Sequence, residues 1–274
     1  EKVLTEMNYQ PTVYASALAY NKSYTFYCLI PKHSSEAYWE EIEIGAMKAV
    51  EARRDFYIDL EIMYYSRLDP HSFIETYQKC LRQNPDGVIL VPTTLEVTRQ
   101  FTDELHDRNI PFILLDSYMP SLQPLSFYGQ DSIQSGRFAA RMLMLIAQKE
   151  ESIMLMKQTK DGKMASRQQE NREVGFRHYM EENFPNIKIL EVNPLDEERK
   201  RYDHILEKFF SEHPEVHHCI TLNSKAHIVG KFLLKTHRHN VQIMGYDVVH
   251  KNADCLREGS ISFLIAQHAY QQGY

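Results

Sequence analysis

Asn84–Pro92 reads NPDGVILVP, and the rest of the chain is read outward from it. Asn-Pro-Asp-Gly is a turn cluster that ends whatever helix precedes it. The run that follows is short and wholly apolar, which describes a strand covered on both faces rather than an alternating, half-solvated one. The same unit recurs along the chain. Candidate strands are Tyr24–Ile30, Ile58–Tyr64, Gly87–Val91, Phe112–Leu115, Ser126–Tyr128, Ser152–Met156, Ile187–Val192, His218–Leu222, Val241–Gly245 and Ser262–Ala266. Amphipathic stretches fill the gaps, as in Ala37–Arg53, where Ile42, Met47 and Val50 supply an apolar stripe. Short strands alternating with helices predict an α/β fold with parallel sheets. Ten strands exceed what one lobe of this kind holds, so the expected architecture is two Rossmann-like lobes. Neither an internal sequence repeat nor a low-complexity run is visible.

Composition narrows the function. With 274 residues the chain can bury a large core, and a net charge of -6 argues against a surface that binds nucleic acid along its whole length. Its longest apolar runs, such as FILL at 112–115, fall far short of the roughly 20 residues of a membrane helix, so no membrane partner is expected. Cys28, Cys80, Cys219 and Cys255 are widely spaced and suit buried free thiols in a reducing compartment. Histidines such as His217-His218 and His237–His239 fit no tetrahedral ligand set, so no metal is expected. GKMAS at 162–166 lacks the glycine spacing of a phosphate loop, and neither a nucleophile elbow nor a paired acid-base motif is present. Neither an enzyme nor a cofactor is therefore expected.

In open α/β sheets a ligand sits outside the carboxyl ends of the strands. Polar residues recur there: Tyr38 and Trp39 after the first strand, Asp116-Ser117 after the fourth, and Gln130-Asp131-Ser132 after the fifth. Arg172 lies in NREVGF, Asn223-Ser224 and Asp247 follow later strands, and Gln267 follows the last. Each has a plainer reading, as core aromatic, loop brace or helix cap. Asp131 in particular stands where a helix would take an N-cap.

NPDGVILVP, IPFILLDS, YGQDSIQSGRFAARML, the arginine three residues before Gly175-Phe176, TLNSKA, GYD and IAQHAYQQGY occur in the order and spacing of LacI/GalR-type regulators. Over nearly its whole length the chain resembles the effector-binding core of those regulators, a type I periplasmic-binding-protein fold shared with sugar receptors. The resemblance implies that Tyr38 and Trp39 sandwich a sugar ring, an aromatic face packing on the weakly apolar face of a pyranose. It further implies that Asp116, Asp131, Arg172, Asn223, Asp247 and Gln267 hydrogen-bond the sugar hydroxyls. Glu36 stands where many sugar receptors have asparagine, Ser117 where they often have arginine, and Ser224 where aspartate is usual. With Glu36, Asp116, Asp131 and Asp247 facing one arginine, a neutral or amino sugar is expected in preference to an anionic one.

Met7–Leu18, MNYQPTVYASAL, is similar to the junction between a helix-turn-helix and a hinge helix, with Ala15 and Leu18 as the hinge residues that meet operator DNA. The implied organisation is 1–22 as the end of the helix-turn-helix and the hinge helix, 24–130 with 268–274 as the N-terminal lobe, and 131–267 as the C-terminal lobe. A cytoplasmic homodimer is implied, bound to operator DNA through an N-terminal domain preceding this chain. The chain is expected to lack both of its ends. The alternative is an exported or membrane-linked solute receptor with the same cleft and no DNA.

Overall fold

The computed structural model describes residues 23–33, 38–67, 69–147, 149–157, 159–160, 163–164, 166–193 and 202–274. Glu36, Ala15 and Leu18 lie outside them. The strands are β1 (Tyr24–Pro31), β2 (Ile58–Tyr65), β3 (Gly87–Leu90), β4 (Phe112–Leu115), β5 (Ser126–Tyr128), β6 (Ser152–Met156), β7 (Thr159–Lys160), β8 (Lys163–Met164), β9 (Lys188–Val192), β10 (His218–Thr221), β11 (Gln242–Tyr246) and β12 (Ile261–Ile265). Between and after them run α1 (Tyr38–Glu51), α2 (Pro70–Arg82), α3 (Leu95–Asp107), α4 (Ser132–Ile146), α5 (Arg167–Asn183), α6 (Tyr202–Glu212), α7 (Ala226–Lys235), α8 (His250–Arg257) and α9 (Ala269–Gly273).

Two five-stranded parallel sheets carry the fold, in the orders β2-β1-β3-β4-β5 and β9-β6-β10-β11-β12. The second order repeats the first strand for strand. We call each sheet, with the helices packed on it, a lobe. Every pairing in both sheets is parallel, and each face of each sheet is covered by its own apolar cluster. Residues buried on both faces need no polar alternation, which is why GVIL and SIMLM read as continuous apolar runs. Fully burying side chains such as Phe73 and Phe101 contributes about 1.5–3 kcal/mol each.

NPDG has a specific local cause. Asn84 takes a left-handed conformation at φ 48 just after α2, which asparagine tolerates better than most residues. Asp86 then clasps the start of β1: its carboxylate accepts from the Thr25 amide at 2.9 Å, and its own amide donates to the Thr25 carbonyl at 2.9 Å. A Cβ on Gly87 would stand 2.8 Å from the Phe26 ring, so a side chain there would force that ring to move.

One expectation needs correction. In α1 the buried side is Tyr38, Ile42, Gly45 and Ala46, whereas Met47 is exposed and Val50 only half-buried. The stripe turns because α9 lies against Gly45, where a Cβ would overlap the Tyr270 carbonyl oxygen. Lys163-Met164, within GKMAS, forms β8, which pairs antiparallel with β7 and was not among the candidate strands. Strands of two residues are too short to carry an alternation pattern.

Candidate ligand-binding site

Asp116 follows β4 and Asp247 follows β11, the corresponding strand of the other lobe. Both adopt left-handed backbone, with φ 67 and φ 65, a conformation that costs roughly 1–2 kcal/mol for a side chain with a Cβ. The Asp116 amide donates to Tyr128 O at the end of β5 (2.8 Å), and the Asp247 amide to Ile265 O at the end of β12 (2.9 Å). These bonds hold both carboxylates at the carboxyl ends of their sheets, where they are 1% and 7% exposed. Buried carboxylates are tolerated only when hydrogen-bonded, and these two are.

Asp116 Oδ1 accepts from the Tyr38 hydroxyl at 2.9 Å and from Gln168 Nε2 at 2.9 Å, while its Oδ2 accepts from Ser117 Oγ at 3.1 Å. Asp247 accepts from Gln267 Nε2 on both oxygens, at 2.8 and 2.9 Å. Gln267 Oε1 in turn accepts from Gln168 Nε2 at 3.0 Å and from Arg172 Nη2. Arg172, 1% exposed, donates Nη1 to Leu222 O at 3.0 Å and lies over the Tyr246 ring at 4.0 Å. Its Nε is buried without a hydrogen-bond partner among the described residues. From the first lobe Arg67 reaches within 3.9 Å of Asp116 Oδ2, donates to Ser166 Oγ at 3.4 Å, and sits over the Trp39 ring at 5.0 Å. Tyr38 and Trp39 meet edge to face at 5.0 Å, and Gln272 Oε1 lies 3.0 Å from the Tyr38 hydroxyl, sharing its one hydrogen with Asp116.

Electrostatics follow from this burial. Desolvation pushes Asp247 from an ordinary carboxylate value up to about 6, against the opposing pull of Arg172. Burial, and after it the Asp116 charge, raises the Tyr38 phenol well above its usual range, so Tyr38 stays a donor. Desolvation likewise raises the Tyr246 phenol.

The cluster joins Tyr38, Asp116, Arg172, Asp247 and Gln267 of the sequence candidates, with Trp39 half-buried at its edge. Asn223 is buried beside it, but its side-chain oxygen accepts from Thr221 Oγ1 (3.0 Å) and the Lys225 amide (2.9 Å), which braces the loop after β10. Asp131 is exposed and caps α4 by accepting from the Gln134 amide at 3.0 Å. The expected balance of four carboxylates against one arginine is therefore corrected. Among the described residues of the cluster, Asp116 and Asp247 stand with two guanidiniums, Arg67 and Arg172.

Arg67, Gln168 and Gln272 escaped the sequence reading. Arg67 stands just past the end of β2, so the rule of reading strand ends finds it once that strand is included. Gln272 lies within IAQHAYQQGY, and no sequence signal sets Gln168 apart from the neighbouring Gln169. A two-carboxylate, two-guanidinium cluster with amide and phenol donors has the chemistry to bind an uncharged molecule rich in hydroxyl groups.

The family model for a periplasmic binding protein domain matches residues 26–274. A crystal structure of a candidate LacI transcriptional regulator from Bacteroides fragilis is 43% identical, with a TM-score of 0.89 over 92% of this chain and 87% of that one. A glucose-galactose binding protein from Geobacillus stearothermophilus matches at 22% identity and a TM-score of 0.80, covering 93% of this chain and 88% of that one. A carbohydrate transporter solute binding protein from Agrobacterium radiobacter, in complex with D-arabinose, matches at 21% identity and 0.78, covering 93% and 86%. Both likenesses near 20% identity speak for the fold alone. Among curated proteins none matches the chain.

Proposed function

Because this chain belongs to the family of the periplasmic binding protein domain and has its type I fold, we propose that it is a ligand-responsive transcriptional regulator. Its core binds a small, neutral, carbohydrate-like effector between the lobes, and lobe closure changes the affinity of an attached domain for DNA. The observation that carries the regulatory reading is the 43% identity over 92% of the chain to the Bacteroides fragilis protein. Support for a neutral sugar comes from the cluster itself. Asp116 and Asp247 already face Arg67 and Arg172, so a ligand with a net charge would leave an uncompensated charge in a closed cleft. An amino sugar meets the same objection more weakly, since two carboxylates are at hand.

Lobe closure can act on DNA affinity only to the extent that the effector binds the two arrangements differently. A homodimer on operator DNA belongs to this reading, as does a cytoplasmic location. Exposed Ile44, Met47 and Tyr57, which line an open groove on the outer side of α1 and β2, support contact with a second copy. The division into lobes, 24–130 with 268–274 and 131–267, is part of the same proposal, and the two separate sheets support it. Ligand roles for Tyr38, Trp39, Asp116, Arg172, Asn223, Asp247 and Gln267 are part of this proposal. The second reading, a sugar receptor of a transport system, is favoured by the glucose-galactose and D-arabinose proteins of the same fold.

Thermal unfolding against neutral, amino, acidic and phosphorylated sugars tests the effector class, with Arg172→Ala as control. Saturation at about 100 times Kd adds about 2.7 kcal/mol, or a few degrees in Tm. The expected result is a shift from a neutral sugar that Arg172→Ala abolishes. A shift from phosphorylated sugars alone overturns the charge argument. Electrophoretic retardation of genomic DNA fragments by the full-length protein, relieved or enhanced by that sugar, separates regulator from receptor. Retention of no fragment, with or without the sugar, overturns the regulator.

A further inference from the structure

We infer that Gln168 is a built-in competitor for the cleft: its side-chain amide makes, to Asp116 across the cleft and to Gln267 in its own lobe, the hydrogen bonds that a bound hydroxyl compound would make, and the ligand must displace it. Gln168 is buried in the first turn of α5, in the second lobe. Its Nε2 donates at once to Asp116 Oδ1 of the first lobe (2.9 Å) and to Gln267 Oε1 (3.0 Å). That is the pattern of a ligand hydroxyl or amine held between an acidic acceptor and an amide acceptor. With Tyr38 donating to the same oxygen, both lone pairs of Asp116 Oδ1 are taken, so an incoming hydroxyl has only Oδ2 while Gln168 stays in place.

The anchoring of α5 makes the amide effective. Its Gly175 lies so close to α4 that a Cβ would overlap the Ile133 carbonyl oxygen, and Gly136 of α4 meets the Arg172 carbonyl in the same way. The first turn of α5 is thus held to a rigid helix pair, and Gln168 moves only with its lobe or by changing rotamer. Arg67 adds a second tie across the cleft, to Ser166 Oγ at the N-terminus of the same helix. Gln168, with Arg67, therefore holds the lobes together in the absence of a ligand and lowers the apparent affinity for any effector.

Two arms test this, and only the second rests on the reading of the cleft as a sugar site. In the first, spin labels at E96C and K208C, exposed positions in the two lobes, report the distance between lobes without added ligand. The four native cysteines are buried and remain unlabelled. The expected result is a narrow, short distance for the parent. Gln168→Met, which keeps the volume but loses the donor, and Gln168→Glu, which sets a second carboxylate against Asp116, both move the population to longer distances. Distance distributions unchanged in both variants overturn the inference. In the second arm, a sugar that stabilises the parent is titrated against Gln168→Met by fluorescence of Trp39, the chain's single tryptophan. Competition predicts binding about tenfold tighter in the variant. Equal or weaker binding makes Gln168 a spectator or a ligand contact and overturns it. A panel with no binding sugar defeats the proposed effector class but leaves the first arm decisive for Gln168.

Discussion

Gly45 of α1 packs against α9 in the first lobe, and Gly175 of α5 packs against α4 in the second. Aligned on those glycines, Tyr38 falls opposite Gln168, each seven residues before its glycine, and Ile42 falls opposite Arg172, each three before. The strand orders, the two left-handed aspartates and their amide bonds to the neighbouring edge strand correspond as well. What differs is the chemistry placed on the shared frame. The first lobe sets an aromatic donor at the cleft and an apolar residue behind it, and the second sets an amide at the cleft and a fully buried guanidinium behind it. One backbone plan therefore places an aromatic on one side of the cluster and an amide with a guanidinium on the other.

The largest expected effect separates Arg172 from Ile42. Arg172→Met leaves Asp247 buried without its cation and removes the bonds to Leu222 and Gln267, a loss of about 3–5 kcal/mol at neutral pH. Ile42→Val costs about 0.5–1.5 kcal/mol. Urea unfolding of both variants measures the difference, and equal losses would erase the asymmetry. Next come the glycines. Gly175→Ala drives a methyl into the backbone of the fifteen-residue α4, at about 3 kcal/mol. Gly45→Ala meets the five-residue α9, which can shift, and should cost less by the same assay. A reversed order would show α9 to be the more firmly held.

The third prediction concerns pH. Asp247 rises from 3.8 to about 6 on folding, so the folded state takes up a proton. Its contribution is full below about 3.8 and is lost as pH rises through about 6, a swing of at most about 3 kcal/mol. Unfolding free energies of the parent and of Asp247→Asn, compared between pH 4 and 7, should diverge in that window, the parent gaining relative to the variant as pH falls. A gap that does not vary with pH would mean that Asp247 keeps an ordinary carboxylate value. The smallest effect is at the helix entries. Asp131→Ala removes the side-chain cap of α4, about 1 kcal/mol, and leaves sugar affinity unchanged. His268 in the matching place before α9 makes no side-chain cap, so His268→Ala should lie near zero in the same measurement.

Both sheets were legible in the sequence because strands buried on two faces announce themselves as apolar runs between turn clusters. The residues at strand ends were legible for the related reason that polar groups there interrupt an apolar pattern. Gln168 was not, because a polar residue in the first turn of a helix breaks no pattern, and its importance lies in what the other lobe brings to meet it. Met47 was misplaced because periodicity shows that a face is apolar, whereas which face turns inward was decided by the approach of α9. The correspondence between the lobes was also hidden. Gln130–Gly136 and Gln267–Gly273 share only Gln, Gln and Gly at matching places, too little to read as a repeat until the helix crossings align them.

The packing of α9 on α1 has a consequence for the time course of synthesis. The described elements of the second lobe, α4 to β12, follow one another along the chain, so that stretch can begin to fold as it leaves the ribosome. The first cannot finish, because Gly45 waits for Tyr270 and Ile42 waits for Gly273. At about 5–20 residues per second, that wait is on the order of tens of seconds. Through it the inner side of α1, with Ile42 and Ala46, stays without one of its covering helices, so the early lobe is the part of the molecule most exposed to misassociation while it is being made.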